Sequence, residues 1–498
     1  MVKSILFGGK AGQGPNILTQ LIGEALVKQG YYVFYSRDYQ SLIRGGHNFN
    51  VISFSRFLIN SNESKVDLIV ALDEKTREIH KNELKNGGMI ISGDGKDKDN
   101  MYFAGALYRV LGFDFKLLQE QLKKLRRFDE NLKHAKEGFE KEARNIKINT
   151  CKLKNHKYFM NGSQGICGGA IKSGLDIYFA YPMTPATPLL FELAPKQEEN
   201  NFLVLELESE IAVMNAALGA SITGAKAMIG TSGGGFDLMT EALSMAGMAE
   251  IPIVCYLASR PGPSTGVATY SGQGDLQFAR YSGHGEFNRV ILAPGDAVEC
   301  EELTSQAFYF SQKFKVPAII LSDKHLAESF YTSTLIPKIT KSEKSTNLGR
   351  YNSYEHADSG EASEDAEIIK QGVERREKNK KEIEKEAEKF EMFKIHGNKN
   401  SRNVIVSYGS CKGAILDSIK DLDVKFIQVL YIEPFPVKIK SELENAKKLV
   451  LVENSATGML GDVIREKTGV EIKDKILRYD GRAFTSDELK IEIKKKLK

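Results

Sequence analysis

The chain has few cysteines, and their spacing does not match a metal or cluster site. The 5 cysteines are scattered along 498 residues with no CxxC pair among them. An iron–sulfur cluster or a structural zinc held by this chain alone would need closely spaced ligands. We therefore interpret the cysteines as core thiols. Where the chemistry needs a cluster, a second polypeptide would have to bring it.

Long apolar runs and a marked excess of one charge are missing as well. The candidate runs, residues 251–258 and 316–321, have the length of strands, whereas a membrane-spanning helix needs about 20 residues. The net charge of +4, from 69 basic and 65 acidic residues, argues against a nucleic-acid partner. The N-terminal MVKSILFGGKAGQG enters a glycine loop too soon for a signal peptide. We expect a cytoplasmic protein with no membrane partner.

What the chain does have is a repeated alternation of strand and helix patterns, which predicts an α/β fold class with three α/β domains. The predicted domains are residues 1–150, 160–335 and 403–498. Residues 336–402 are polar and then highly charged, with opposite charges at i, i+4 spacing, which predicts a linker that contains a solvated helix. The strands are predicted at 2–9, 31–36, 68–72, 89–92, 176–180, 202–207, 227–230, 251–257, 318–322, 404–408, 424–430 and 448–452.

A glycine-rich loop, LFGGKAGQGPN, follows the first predicted strand and opens a helix. Free amides around Gly12 and Gly14 could cradle a phosphate at the positive end of the helix dipole. The glycines are spaced GxxGxG, which is neither the GxGxxG of a dinucleotide site nor a P-loop. The loop SLIRGGHNFN adds the cation Arg44. Two interpretations stay open: a tight turn without a ligand, and a site for a phosphate-bearing ligand formed by Gly12, Gly14 and Arg44.

A second glycine pair, the GDG at residues 93–95, could begin a magnesium site for thiamine diphosphate. Such a site also needs an asparagine some 25 to 30 residues further on, and here Asn100 comes too early and Asn131 too late. We interpret the GDG as a turn.

Four segments of the middle domain lie at predicted strand ends, where open α/β sheets bind ligands. They are YPMTPAT, LVLELESEIAVMNAALGAS, GTSGGGFDLMTEA and YLASRPGPSTG. Arg260 could clamp a carboxylate bidentately, Thr184 could donate to it, and Glu210 could act as an acid or base. Gly233 and Gly234 would allow a close backbone approach. Taken singly, these residues could also be a surface arginine, a turn hydroxyl and a helix-dipole partner.

Taken together, the motifs resemble a known family. YPMTPAT, ESEIAVMNAALGAS, TSGGGFDLMTEALSMAGMAEIPIV, RPGPSTG and GQGDLQFARYSGHGEFNRVILAPG resemble the alpha subunit of 2-oxoacid:ferredoxin oxidoreductases. GGKAGQG with RGGHNFN resembles the gamma domain that the two-subunit enzymes fuse ahead of alpha, and VSYGS, EPFP and LVLVEN fit the small C-terminal domain. The resemblance implies a central thiamine-diphosphate-binding domain of the pyrimidine type and a last domain like the C-terminal domain of transketolase.

The resemblance also implies an activity: coenzyme A-dependent oxidative decarboxylation of a 2-oxoacid, with electrons passed to ferredoxin. Thiamine diphosphate would be shared with a beta subunit that carries Mg²⁺ and a [4Fe-4S] cluster. The expected substrate is 2-oxoglutarate, with pyruvate or a branched-chain 2-oxoacid as alternatives. A non-catalytic paralogue that binds a beta-like chain and a nicotinamide-dependent dehydrogenase are the other hypotheses. Whether the gamma-like domain contacts coenzyme A stays open.

The family's site residues carry over to matching positions. Glu210 matches the glutamate that hydrogen-bonds the aminopyrimidine ring of thiamine. Thr184 and Arg260 match the binders of the substrate carboxylate, and Tyr181 and Pro182 belong to the same substrate segment. The glycines Gly233 and Gly234 would face the cofactor.

The sequence departs from the family pattern in three places. Met183 replaces the commoner isoleucine, and SATGML follows Asn454 in place of the usual glycine–glutamine step. Tyr270 and Gly272 stand where relatives often carry Arg and Glu, which puts the contacts of that loop in doubt.

Overall fold

The computed structural model describes residues 2–39, 46–92, 99–143, 146, 148, 158–346, 352–357 and 359–498. Arg44 and the GDG at 93–95 lie outside these residues, so the predictions made for them stay predictions. The chain divides into two compact units: Met1–Met160 with Ser329–Leu335 and Thr485–Leu489, and Asn161–Glu328 with Ile336–Phe484 and Lys490–Lys498.

The sheet of the first unit has the strand order β5-β4-β1-β3-β2-β13-β6 among the described residues. Its strands are β1 Lys3–Lys10, β2 Tyr32–Asp38, β3 His47–Ser55, β4 Val66–Ala71, β5 Leu84–Ser92 and β6 Tyr158–Asn161, with β13 Phe330–Ser333 from later in the chain. Its helices are α1 Pro15–Lys28, α2 Glu74–His80, α3 Asn100–Leu111, α4 Phe115–Leu122 and α5 Phe128–Lys141, and Lys81–Glu83 forms a 3-10 turn. Helix α1 buries Leu18, Leu21, Ile22 and Leu26 on one face, the spacing of an amphipathic helix.

Three strands of this sheet, β3, β6 and β13, are not predicted from the sequence. Strand β3 covers part of the RGGHNFN segment, which we interpret as a loop, and it pairs antiparallel with both β1 and β2. Its polar start, His-Asn-Phe-Asn, hides the strand pattern. Strand β13 joins the edge of β2 after the chain has passed through the first segment of the second unit, Asn161–Glu328. There Thr332 Oγ1 accepts a hydrogen bond from the Val33 amide (3.0 Å) and donates one to the Val33 carbonyl oxygen (2.9 Å).

The second unit contains a central sheet of order β17-β11-β12-β10-β9-β7-β8 and a C-terminal sheet of order β14-β16-β15-β18-β19 in the described part of the chain. The remaining strands are β7 Ile177–Ala180, β8 Leu203–Glu206, β9 Ala227–Thr231, β10 Ile253–Ser259, β11 Val290–Leu292, β12 Pro317–Asp323, β14 Phe393–Gly397, β15 Asn403–Tyr408, β16 Lys425–Val429, β17 Tyr431–Glu433, β18 Lys448–Glu453 and β19 Asp474–Leu477. Strands β10 and β12 are buried along their whole length, as central strands of a parallel sheet covered on both faces should be.

The helices of the second unit flank these sheets. They are α6 Gly162–Lys172, α7 Thr187–Leu193, α8 Gln197–Asn200, α9 Glu210–Ile222, α10 Gly233–Asp237, α11 Thr240–Met248, α12 Leu276–Tyr281, α13 Ala297–Phe314, α14 Lys324–Glu328, α15 Ala366–Ala387, α16 Cys411–Ser418, α17 Lys440–Glu444, α18 Met459–Thr468 and α19 Ser486–Leu497, with 3-10 turns at Ala194–Lys196 and Val437–Ile439. None of the helices in the described ranges is both long and apolar enough to cross a membrane.

The α/β class with three sheets agrees with the prediction, and the five strands predicted within residues 160–335 lie within two residues of their predicted ends. The charged segment forms the predicted helix, α15, whose N-cap Asp365 accepts hydrogen bonds from the Glu367 and Ile368 amides. The segment predicted as a linker, 336–402, also contains β14, which pairs antiparallel with β16. The exact domain boundaries stay predictions.

Candidate active site

The carboxyl ends of β7, β8, β9 and β10 share one edge of the central sheet. These strands are consecutive neighbours in the order β10-β9-β7-β8 and run parallel. The segment after β7 carries Thr184, the segment after β8 carries Glu210, and the glycines and Arg260 follow β9 and β10. The topology therefore brings together the three side chains that the sequence predicts as one site.

Glu210 begins helix α9 and is buried, with 4% of its surface exposed. Ser209 caps the helix by accepting a hydrogen bond from the Ala212 amide (3.3 Å), which turns the chain so that Glu210 faces inward. Its Oε1 atom is buried and has no hydrogen-bond partner among the described residues. A buried acceptor without a donor of its own chain fits a ligand that supplies an N–H group.

The carboxylate of Glu210 fits against the loop after β9 because residue 235 is a glycine. A Cβ atom at Gly235 would lie 2.2 Å from Thr231 Oγ1 and 2.7 Å from Glu210 Oε1. No side chain can therefore stand at this position while the carboxylate keeps its place.

Arg260 directly follows strand β10 and is anchored at one nitrogen. Its Nη1 donates a hydrogen bond to the Thr184 carbonyl oxygen (2.7 Å), and its buried Nε has no acceptor in the described part of the chain. Burial lowers the pKa of Arg260, whereas the charges of Asp275 and Glu210 raise it. The guanidinium thus carries a donor, Nε, without an acceptor among the described residues, which suits a carboxylate ligand.

The substrate segment after β7 is brought to the site only in part. Thr184 contacts Arg260 through its backbone carbonyl oxygen, which the sequence did not predict. Tyr181 is 39% exposed, and Pro182 is exposed beside it. The roles predicted for the Thr184 hydroxyl, Tyr181 and Pro182 therefore stay predictions.

Asp275 is a site residue that sequence reasoning missed. A Cβ atom at Gly233 would lie 2.8 Å from Asp275 Oδ2, so the carboxylate packs directly against the loop after β9. The pKa of Asp275 is raised above its usual value, chiefly by burial; the charge of Asp237 adds to this, and the charge of Arg260 opposes it. The sequence signal for this residue was the motif GQGD, in which the acidic Asp275 follows two glycines.

A cavity of about 620 Å³ opens beside Arg260 and Asp275. Its walls are Gly233 and Gly234, the segments 260–264 and 271–275, and, from the C-terminal sheet, residues 454–457, Met459, Tyr479 and Gly481. The two predicted glycines therefore face a ligand-sized space, whereas Glu210 and Thr184 are not among its wall residues.

The glycine loop of the first unit is a tight turn. Gly12 (φ 94°) and Gly14 (φ 76°) adopt the left-handed conformation that favours glycine, and Pro15 begins α1 directly after them. His47 lies in β3, where its Nε2 is 2.8 Å from Nε2 of buried His80. The loop geometry is compatible with both interpretations, and ligand binding by Gly12 and Gly14 stays a prediction.

The structure contains no cluster of three or more His, Cys, Asp or Glu side chains arranged as metal ligands within its described residues. Cys167, Cys255, Cys300 and Cys411 are buried free thiols.

Two family models match the chain. The model described as "Pyruvate flavodoxin/ferredoxin oxidoreductase, thiamine diP-bdg" matches residues 168–399, which include Glu210, Arg260 and Asp275. The model described as "Pyruvate ferredoxin/flavodoxin oxidoreductase" matches residues 4–99.

Curated relatives and a solved structure agree with these matches. A 2-oxoacid:ferredoxin oxidoreductase subunit alpha from a Sulfolobus species is 26% identical over 99% of this chain and 97% of its own length. The 2-oxoglutarate synthase subunit KorA of Methanocaldococcus jannaschii is 30% identical over 59% of this chain and 87% of its own length. A structure of 2-oxoglutarate:ferredoxin oxidoreductase from Magnetococcus marinus, with 2-oxoglutarate, coenzyme A and succinyl-CoA bound, has the same fold over 100% of both chains (TM-score 0.88, 23% identity).

Proposed function

Since the chain belongs to the 2-oxoacid:ferredoxin oxidoreductase family as an alpha subunit, with a gamma-like region ahead of the alpha region, we propose that it takes part in coenzyme A-dependent oxidative decarboxylation of a 2-oxoacid. The products are an acyl-coenzyme A and CO₂, and two electrons pass to ferredoxin. The observation that carries the proposal is the buried, unpartnered Oε1 of Glu210 at the same sheet edge as Arg260.

The residues present fit thiamine diphosphate. When bound, this cofactor supplies the electron sink that a 2-oxoacid needs in order to lose CO₂. Glu210 would hold a proton between its carboxylate and a ring nitrogen of the aminopyrimidine, and the apolar surroundings that bury it would keep water from competing. Gly233 and Gly234 would let the backbone approach the cofactor closely.

Arg260 would bind the substrate carboxylate. Its Nη1 bond to the Thr184 carbonyl fixes the plane of the guanidinium, and its Nε has no acceptor from the described residues. A charge-assisted hydrogen bond to a fixed donor costs little side-chain entropy when substrate arrives. The Thr184 hydroxyl would add a second donor, and Tyr181 and Pro182 would form the outer edge of the substrate position.

The substrate we propose first is 2-oxoglutarate, because the Methanocaldococcus relative is named for its synthesis and the Magnetococcus enzyme has it bound. Coenzyme A is the proposed acyl acceptor. A beta subunit with Mg²⁺ and a [4Fe-4S] cluster is the proposed partner, and ferredoxin is the proposed electron acceptor.

The test is to co-express the chain with its beta-type partner under anaerobic conditions and to measure coenzyme A-dependent reduction of methyl viologen. The panel would contain 2-oxoglutarate, pyruvate and a branched-chain 2-oxoacid. We expect reduction with at least one of them, and the highest kcat/KM with 2-oxoglutarate. A cluster-replete, thiamine-loaded complex that reduces viologen with none of these acids would refute the proposal.

A further inference from the structure

One glutamine joins the loop 271–275 to the C-terminal sheet. Gln273 is 3% exposed. Its Oε1 accepts hydrogen bonds from the Asn454 amide (2.8 Å) and from Cys411 Sγ (3.2 Å), and its Nε2 donates to the Tyr408 carbonyl oxygen (3.2 Å). Its backbone amide donates to the Asn454 carbonyl oxygen (2.8 Å). Gln273 and Asn454 therefore hold each other through two hydrogen bonds.

The three partners come from three separate places in the C-terminal region, in or next to strands of its sheet and in a helix that follows one of them. Tyr408 ends β15, Cys411 begins α16 and Asn454 follows β18. An amide side chain suits this position because it offers a donor and an acceptor at the same time. The site is also tightly filled, since a Cβ atom at Gly409 would lie 2.6 Å from Gln273 Nε2.

The same loop packs against the residue next to Arg260. A Cβ atom at Gly272 would lie 3.3 Å from both the backbone nitrogen and Cγ of Pro261, so the two backbones are in close contact. On the other side of Gln273, Asp275 packs against Gly233. The loop is thus in contact with the segments after β9 and β10 while Gln273 holds it to the C-terminal sheet.

We propose that Gln273 is a positioning residue for the carboxylate-binding guanidinium: by tying the loop 271–275 to the C-terminal sheet, it fixes Pro261 and with it Arg260 at the cavity wall. The proposal rests on the function proposed for Arg260. Breaking the tie lets the loop move away from Pro261, so Arg260 loses its fixed position. Substrate binding then weakens, whereas the chemistry in the bound complex changes little.

The first measurement needs no activity. Hydrogen–deuterium exchange is followed in the full chain within the partner complex, comparing wild type with Gln273→Met. We expect the Asn454 amide to exchange at least about tenfold faster, because its acceptor is gone, and the faster exchange to extend to the segment 260–264. Gln277→Met is the matched control, since Gln277 lies four residues along the same segment and its Oε1 accepts only from Arg280 among the bonds the structure gives it.

The second measurement separates KM from kcat in the same complexes. For Gln273→Met we expect the KM of the 2-oxoacid to rise about tenfold, while kcat and the KM of coenzyme A stay within about twofold. Gly409→Ala keeps Gln273 but displaces its Nε2 atom, so it should also raise the KM of the 2-oxoacid. This variant provides a second test if Gln273→Met folds poorly. Gln277→Met should leave the KM of the 2-oxoacid unchanged.

The outcomes are distinguishable. A wild-type complex without activity refutes the proposed function, and the exchange experiment still tests the tie. Faster exchange at Asn454 alone, with the segment 260–264 and the KM of the 2-oxoacid unchanged in both variants, would overturn the positioning role. A fall in the thermal midpoint with unchanged KM would also overturn it, because that is what a purely structural glutamine gives.

Discussion

At the scale of single residues, a substitution of Glu210 is expected to affect catalysis much more than the stability of the fold. Its Oε1 has no hydrogen-bond partner among the described residues. Replacing the carboxylate with the amide of glutamine therefore breaks no hydrogen bond of Oε1. We expect Glu210→Gln to lower kcat by at least about 100-fold, the usual contribution of a positioned acid or base, and to change the thermal midpoint little. Steady-state kinetics of the partner complex and differential scanning calorimetry measure the two effects.

Glu208 gives a control for this substitution, because it is an exposed glutamate two residues away. Glu208→Gln should keep wild-type kcat. If Glu210→Gln kept it as well, Glu210 would not be a catalytic residue.

We expect position 260 to require the planar guanidinium of arginine, which the point charge of a lysine cannot replace. Arg260→Lys cannot both keep the bond to the Thr184 carbonyl and present a second donor to substrate. A lost hydrogen bond between charged groups is worth about 1.5–3 kcal/mol, so the KM of the 2-oxoacid should rise roughly 10- to 150-fold. Arg402→Lys is the control, since Arg402 also donates to a backbone carbonyl, that of Asn445 (3.0 Å), away from the site. An equal effect of the two substitutions would contradict the assignment.

Glu210, Thr184 and Arg260 could be predicted from the sequence because each lies inside a short motif at a strand end. Gln273 could not, because its role depends on Asn454, a residue 181 positions away. Asp275 ends the local motif GQGD, but its importance comes from packing against Gly233, a residue of a different loop, and the motif alone does not show that contact.

At the scale of elements, a buried charge cluster joins helix α13 to the C-terminal sheet. Glu299 on α13 accepts hydrogen bonds from Lys412 Nζ (2.6 Å), Lys394 Nζ (2.9 Å) and Gln428 Nε2 (2.6 Å). These partners belong to α16, β14 and β16. Burial alone raises the pKa of the Glu299 carboxyl, but the two ammonium groups outweigh burial and hold the pKa well below its usual range.

Removing the charge of Glu299 should destabilise this connection. Glu299→Gln removes that carboxylate from buried Lys412 and half-buried Lys394, although Lys412 keeps Asp296 and Lys394 keeps the more distant Glu391 (3.8 Å) as partners. We expect the free energy of unfolding to fall by about 3 kcal/mol, as for other buried pairs that lose one member. Denaturant titration of the variant measures it, with Glu302→Gln on the same helix as the control. A change below about 0.5 kcal/mol would contradict the importance of the cluster.

The same cluster predicts a dependence of stability on pH. The folded-state pKa of Glu299 lies below its unfolded value of about 4.3, so its stabilising contribution is fully present above that pH and is lost as the pH falls toward the folded pKa. The free energy of unfolding should therefore decrease below about pH 4.3 less steeply in Glu299→Gln than in wild type. Identical slopes for the two proteins would contradict the assignment.

Element prediction succeeded where a strand is apolar and buried, as in β10 and β12, and failed where the pattern is short or polar. Strand β11 has only 3 residues, and β3 begins with polar His47 and Asn48. Strand β14 follows the charged helix α15, and its antiparallel partner β16 comes later in the chain, so nothing local marks it as part of a sheet.

At the scale of the whole molecule, the chain supplies a carboxylate and a guanidinium but no metal-ligand cluster within its described residues. We expect the isolated chain to show no 2-oxoacid-dependent viologen reduction, and activity to appear when the beta-type partner is added. Turnover by the isolated chain, freed of partner by gel filtration, would contradict the proposed division of the site between two polypeptides.

The return of β13 to the first sheet has a consequence for synthesis on the ribosome. Thr332 and its partner Val33 are 299 residues apart, so at about 5–20 residues per second the edge of β2 waits roughly 15–60 s for its neighbour. During that interval the nascent chain presents an unpaired strand edge, the surface that most readily joins a foreign strand. Slow translation across the second unit would lengthen this exposure, and codon choice between the two strands would then affect the yield of folded protein.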